Sequence, residues 1–233
     1  MKLDSDLKTL LVDADDTLWE NNIYFEQVIE SFLGMMEDLN YKPSIVRKIL
    51  NEIERKNIQL NGYGVYNFVQ SLRETLSRLR GESSDFEFYL GRIDKMAEAI
   101  FSHPMELLAG VEEGLEYLSR SHRTILFTKG SLEEQKRKIE ASGLARFFWA
   151  IEIVREKDPQ AFRDLLWRHQ LSRESTWMIG NSPKSDINPA VAAGINAIYI
   201  PHARTWELEK EALSDPEKVT ILNSFGALIE HFR

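Results

Sequence analysis

Leu10-Leu11-Val12-Asp13-Ala14-Asp15-Asp16-Thr17-Leu18 joins an apolar run to a turn carrying three carboxylates. The run, extended back to Leu7, reads as a buried strand: short, aliphatic and ended by turn-forming residues. The same signature recurs at Thr124–Thr128, Trp149–Val154, Thr176–Ile179 and Ala197–Ile200, and more weakly at Val219–Leu222. Helical spacing lies between most of these strands, at Glu112–Leu118, Leu132–Ile139 (after Ser131, a candidate N-cap) and Gln160–His169 (after Pro159). Alternating strand and helix predict an α/β fold with a parallel sheet covered on both faces. In such a sheet ligands bind beyond the carboxyl ends of the strands. If extended geometry continues past Val12, Asp13 and Asp15 project to one side, because side chains alternate with a period of two.

Residues 20–103 break the alternation. Four amphipathic stripes follow one another without a strand. They are Phe25, Val28, Ile29, Phe32, Met36 and Leu39; Ile45, Ile49, Ile53 and Lys56; Val65, Phe68, Val69, Leu72, Leu76 and Leu79; and Phe86, Tyr89, Ile93, Met96 and Ile100. The turns Asn61-Gly62-Tyr63-Gly64 and Gly81-Glu82-Ser83-Ser84 separate the later ones. So long a run of helices predicts an inserted helical domain at 20–103, within a core formed by 1–19 and 104–233.

Composition narrows the functional classes. The 233 residues are 43% hydrophobic and 28% charged, with net charge −8, which lacks the basic footprint of a nucleic-acid binder. There is no cysteine, so thiolate metal sites, cysteine nucleophiles and disulfides are excluded. The segment Met1–Asp6 has two acids and no long apolar stretch, and no run is long enough to span a bilayer. A cytoplasmic protein without membrane or nucleic-acid partners is expected. The five histidines show no metal-ligand spacing, Gly62 and Gly64 make no dinucleotide fingerprint, and no Walker A sequence is present.

The chemistry gathers at strand ends. Asp13 and Asp15 follow the first strand; two close carboxylates repel, and a hard divalent cation such as Mg²⁺ relieves that repulsion. Thr128-Lys129-Gly130 ends the second strand, where a hydroxyl and helix-entry amides suit a phosphate. Lys157 follows the third and can supply a point charge to an anion. After the fourth come Gly180-Asn181-Ser182-Pro183-Lys184-Ser185-Asp186. The glycine permits a tight strand exit, and Asn181 and Asp186 offer oxygens to a hard cation.

In order and spacing these segments resemble the motifs of the haloacid dehalogenase-like hydrolase superfamily: an Asp-x-Asp-x-Thr loop, a Ser or Thr after the second strand, a Lys, and an acidic loop after the fourth. The helical insertion falls where the C1 cap of that family's capped phosphatases lies. The resemblance implies a Rossmann-like core with a mobile helical C1 cap. It also implies a Mg²⁺-dependent phosphomonoester hydrolase that acts on a small phosphorylated metabolite through an aspartyl-phosphate. Carried over by position, Asp13 is the nucleophile and Asp15 the general acid/base. Mg²⁺ is held by Asp13, the Asp15 carbonyl, and Asn181 or Asp186. Thr128 and the amides near Ala14, Asp15 and Lys129 bind phosphate oxygens, and Lys157 balances charge. The chain departs from the family pattern in having Asn181 where an acid is usual, Asp16 where Gly is frequent, and Asp158 where Pro often follows the lysine. Asp16 is expected to lend only its backbone. Two alternatives on the same fold stay open, a metal-independent 2-haloacid dehalogenase and a sugar phosphomutase. The Asn61–Tyr66 turn is a candidate for substrate selection, Pro201–Trp206 is expected to pack on the surface, and the particular ester and the oligomeric state are left undetermined.

Overall fold

A computed structural model describes residues 7–81 and 83–233. The expected features at Met1–Asp6 and Glu82 lie outside the described residues. Six parallel strands form one sheet: β1 (Thr9–Val12), β2 (Arg123–Lys129), β3 (Ala150–Val154), β4 (Thr176–Gly180), β5 (Asn196–Tyr199) and β6 (Val219–Ile221), in the order β3-β2-β1-β4-β5-β6. The expected strands are all present, with ends shifted by a few residues.

β1 is short and wholly buried, with Leu10, Leu11 and Val12 at 0% exposure. Its period of two sends Leu10 and Val12 into one apolar layer and Leu11 into the other. The first layer is closed by α5 (Val111–Ser121), α6 (Leu132–Ser142) and α9 (Leu228–His231), through Leu115, Ile139 and Leu228. The second is closed by α7 (Pro159–Arg168) and α8 (Asn188–Ala193), through Phe162, Leu165 and Ala190. Each of the buried Leu, Ile and Phe side chains among these contributes about 1.5–3 kcal/mol. That two-sided burial explains the unbroken apolar run of the opening motif.

The chain leaves β1 for β2 and β3 on one side, then returns to place β4 on the other. Val12 is in register with Leu126 and with Ile179. The carboxyl end of β1 therefore sits at the switch point of the sheet, the place where open α/β sheets bind their ligands.

The chain divides into two compact units, residues 1–20 with 105–233, and residues 21–104. The second unit consists of α1 (Asn22–Asp38), α2 (Pro43–Asn61), α3 (Val65–Arg80) and α4 (Phe86–Ser102) around a core that includes Phe32, Met36, Leu50, Leu72, Leu76 and Ile93. Three stripes face this core as expected. The second does so only at Ile53: Ile45 is 52% exposed and Lys56 is exposed, whereas Val46, Leu50, Glu54 and Asn57 are buried with Ile53. Ile45/Ile49/Ile53 and Val46/Leu50/Ile53 both satisfy helical spacing, and packing against the other helices selects the latter. No helix among the described residues is long and apolar enough to cross a membrane.

Candidate active site

The turn after β1 is built from its own backbone. Thr17 and Leu18 amides donate to the Ala14 carbonyl at 3.2 and 2.8 Å, and Asp16 N–H donates to Trp19 O at 2.9 Å. Asp16 takes a left-handed φ of 59°, a conformation that Asp tolerates better than most residues and that accounts for Gly often standing here in the pattern above. Asp13 is fixed to the sheet by its amide, which donates to Ile179 O at 2.9 Å.

Asp13 is 6% exposed, and both its oxygens are engaged. Thr17 Oγ1 donates to Oδ2 at 2.9 Å, and Lys157 Nζ donates to Oδ1. The same ammonium reaches Asp186 Oδ1 at 2.7 Å, while Ser182 N–H donates to Asp186 Oδ2 at 2.9 Å. Thr17 Oγ1 also lies 3.4 Å from Asn181 Oδ1, so Asn181 borders the same group. The structure thus brings together Asp13, Lys157, Asn181 and Asp186, from the ends of three strands.

This group is buried with two carboxylates and one ammonium. Burial first, then the charge of Asp13, pushes the Asp186 carboxyl above the usual range, against the pull of Lys157. Burial works to lower Lys157, but Asp13 and Asp186 together hold it above its ordinary value. The excess of negative charge and the oxygens of Asp13, Asn181 and Asp186 suit a hard divalent cation. The donor set therefore fits Mg²⁺.

Asp15 is held elsewhere. Its Oδ1 accepts from Trp19 Nε1 at 2.8 Å and from Lys138 Nζ at 2.7 Å; its Oδ2 accepts from Gln135 Nε2 and Lys138 Nζ, both at 2.8 Å. Loss of hydration acts to raise this carboxyl, but the Lys138 charge and the four donor contacts outweigh it, and the net direction is down. Asp13 and Asp15 consequently share no partner in these hydrogen bonds.

Thr128 is 1% exposed at the end of β2, its hydroxyl 3.5 Å from the Lys129 carbonyl. The backbone bonds internal to the first turn use the amides of Asp16, Thr17 and Leu18, not those of Ala14 and Asp15. The side chain of Lys129 turns to Glu209 Oε1 and Ser185 Oγ, both at 2.7 Å. Glu209 also accepts from Ser182 Oγ at 2.6 Å and from Ser185 Oγ at 2.5 Å. Burial would raise the Glu209 carboxyl, but Lys129 and the serines hold it below its usual range.

Several of these residues escape sequence reasoning. Thr17 belongs to the motif, yet its bond to Asp13 depends on the turn. Lys138 and Gln135 sit one turn apart on α6, and nothing local marks them. The segment Pro201–Trp206, expected to pack on the surface, instead meets a site loop, where Asn181 Nδ2 lies 3.5 Å from Thr205 Oγ1; just beyond that segment, Lys184 Nζ donates to Leu208 O at 2.9 Å. His202 Nδ1 lies 3.9 Å from Asp16 Oδ1 and its Nε2 lies 3.4 Å from Glu20 Oε2, forming a second polar cluster.

A parallel sheet with a helical insertion, and a buried carboxylate, lysine and second carboxylate gathered at its switch point, define a Rossmann-like hydrolase. The chain belongs to the haloacid dehalogenase-like hydrolase family, whose description matches residues 7–194. A haloacid dehalogenase-like family hydrolase from Xanthomonas campestris is 30% identical, with a TM-score of 0.83 over 99% of this chain and 93% of that one. The L-2-haloacid dehalogenase of Xanthobacter autotrophicus shares the fold at 14% identity, with a TM-score of 0.64 over 96% of this chain and 97% of that one. A phosphoserine phosphatase of Thermus thermophilus is 30% identical over 80 residues, which are 32% of this chain and 32% of that relative's length.

Proposed function

We propose that this protein is a Mg²⁺-dependent phosphomonoester hydrolase acting on a small phosphorylated metabolite, with Asp13 as nucleophile. The observation that carries the reading is the buried Lys157, which spans Asp13 and Asp186 and, with Thr17, fixes both oxygens of the nucleophile. A nucleophile held in one orientation needs little further reorganisation to reach the transition state.

An Asp13 oxygen bonds to phosphorus as the ester P–O bond breaks, and the departing alkoxide takes a proton from Asp15. Water then attacks the phosphoaspartate, gives its proton to Asp15, and releases phosphate and the Asp13 carboxylate. Lys157 offsets charge on the nucleophile, Thr128 offers its hydroxyl to a phosphoryl oxygen, and the amides of Ala14, Asp15 and Lys129 offer further donors. Asp13, the Asp15 carbonyl, Asn181 and Asp186 would hold Mg²⁺, which when bound supplies positive charge to the phosphoryl oxygens. Residues 20–103 act as the cap that selects the ester.

Asp15 favours this reading over a dehalogenase, since displacement of halide needs no acid for the leaving group. The partial likeness to a phosphoserine phosphatase agrees. Asn181 favours the dehalogenase, because an amide weakens a cation site. A screen of phosphomonoesters with Mg²⁺ separates the two: turnover is expected, lost on EDTA treatment, abolished in Asp13→Asn and nearly so in Asp15→Asn. Turnover of chloroacetate undiminished by EDTA would overturn the phosphatase reading.

A further inference from the structure

The hydrogen bonds around Asp15 exceed what placement of a surface carboxylate requires. Two oxygens receive four contacts, all of 2.8 Å or less, from three side chains of different chemistry. A carboxylate offers about four acceptor directions, and these contacts hold it firmly in one orientation.

Gln135 contributes more than one contact. It is 4% exposed, and the hydrogens of its amide nitrogen go to Asp15 Oδ2 at 2.8 Å and to the Lys129 carbonyl at 3.2 Å. Those two acceptors fix which way the amide faces, because the reverse orientation would set its oxygen against a carboxylate. Gln135 Oε1 is then left buried with no hydrogen-bond partner among the described residues. A buried acceptor of this kind beside a proton-accepting carboxylate suits a water molecule, which needs partners for its hydrogens. Gly130 makes room for this amide: a Cβ there would lie 3.0 Å from Gln135 Nε2.

Lys138 alone touches both oxygens of Asp15. It can therefore yield one oxygen to an incoming hydrogen while keeping hold of the other. Trp19 and Gln135, each bound to a single oxygen, preserve the direction of the carboxylate during that exchange.

Resting on the phosphatase reading, we propose that Lys138 and Gln135 are positioning residues for its second half: they aim Asp15, and Gln135 Oε1 orients the water that Asp15 deprotonates to hydrolyse the phosphoaspartate. Loss of either slows release of phosphate from Asp13 and spares formation of the phosphoaspartate when the leaving group departs without a proton.

The test is rapid-mixing kinetics with p-nitrophenyl phosphate and Mg²⁺ on the full chain, for wild type, Lys138→Met and Gln135→Met. The first turnover of both variants is expected within about twofold of wild type, which also shows that they are folded. Their steady-state rate is expected to fall at least tenfold, with a burst near one equivalent of p-nitrophenolate and acid-stable phosphoprotein trapped by quenching. Lys138→Arg, which keeps the cation, is expected to recover most of the steady-state rate. If first turnover and steady state fall together in both Met variants, or if neither changes, the inference is overturned while the phosphatase reading stands. A wild type inert towards p-nitrophenyl phosphate and every other phosphomonoester overturns the phosphatase reading, and the inference with it.

Discussion

At the scale of single residues, Gly180 shows how a motif position acquires its meaning. Its expected purpose is a tight strand exit, yet it is not among the glycines with positive φ. It is required for space: a Cβ on residue 180 would lie 2.3 Å from Asp186 Oδ2. The glycine lets the second carboxylate fold back onto the end of β4, where it meets Lys157 and the Ser182 amide. Gly180→Ala is therefore expected to displace Asp186, costing about 1–3 kcal/mol by overpacking. Chemical denaturation measures the loss, and the activity of the Mg²⁺-supplemented enzyme should fall with it. Asp158 has a comparable local reason. Its carboxylate accepts from Ala161 N–H at 2.8 Å and caps α7, with Pro159 at the first helical position. Ser131, the more obvious candidate cap, makes no such bond.

At the scale of elements, α2 carries an acid into an apolar interface. Glu54 is 4% exposed, and its Oε2 has no hydrogen-bond partner among the described residues. Burial, the largest effect, and the neighbouring Glu26 raise its carboxyl from 4.5 to about 7, against the pull of Arg47 and Arg55. The folded state thus keeps this proton to higher pH than the unfolded chain does. Below about pH 4.5 the group favours neither state; through the window from 4.5 to about 7 folding stability declines, and above it the loss is complete. Its size is about 3 kcal/mol. Glu54→Gln is expected to be more stable than the parent at pH 8 by up to about that amount, with the difference closing as pH falls towards 4.5. Urea titrations at the two extremes of pH check the sign; an unchanged difference would exclude ionisation of Glu54 as the cause.

At the scale of the whole molecule, the sheet collects charge that its own residues do not neutralise. Lys157 answers one of the two carboxylates of Asp13 and Asp186. Mg²⁺ binding there should stabilise the folded chain by mass action, by about 2.7 kcal/mol at a free concentration one hundred times the Kd. The check is thermal unfolding of wild type and Asp186→Asn with and without the ion. The expected rise in Tm belongs to wild type, and an equal rise in the variant would place the ion elsewhere.

Order of strands, the parallel sheet and the helical insertion were legible because burial on two faces imposes apolar runs, and burial on one face imposes helical spacing. β1, β2 and β4 appear in the sequence as Leu7–Val12, Thr124–Thr128 and Thr176–Ile179 with only their ends displaced. Asp13, Lys157, Asn181 and Asp186 were legible as strand-end residues, since a parallel sheet brings such ends to one edge. The buried face of α2 was legible only at Ile53, because Ile45/Ile49 and Val46/Leu50, one position apart, both satisfy the helical period with it. The grip of Trp19, Gln135 and Lys138 on Asp15 was not legible, nor was the strap from Glu209 to Lys129 and the serines of the β4 loop. Local pattern reports which residues are buried and roughly where a turn falls. Which side chain donates to which carboxylate depends on distances between segments far apart in the chain, and only the packed tertiary structure sets those.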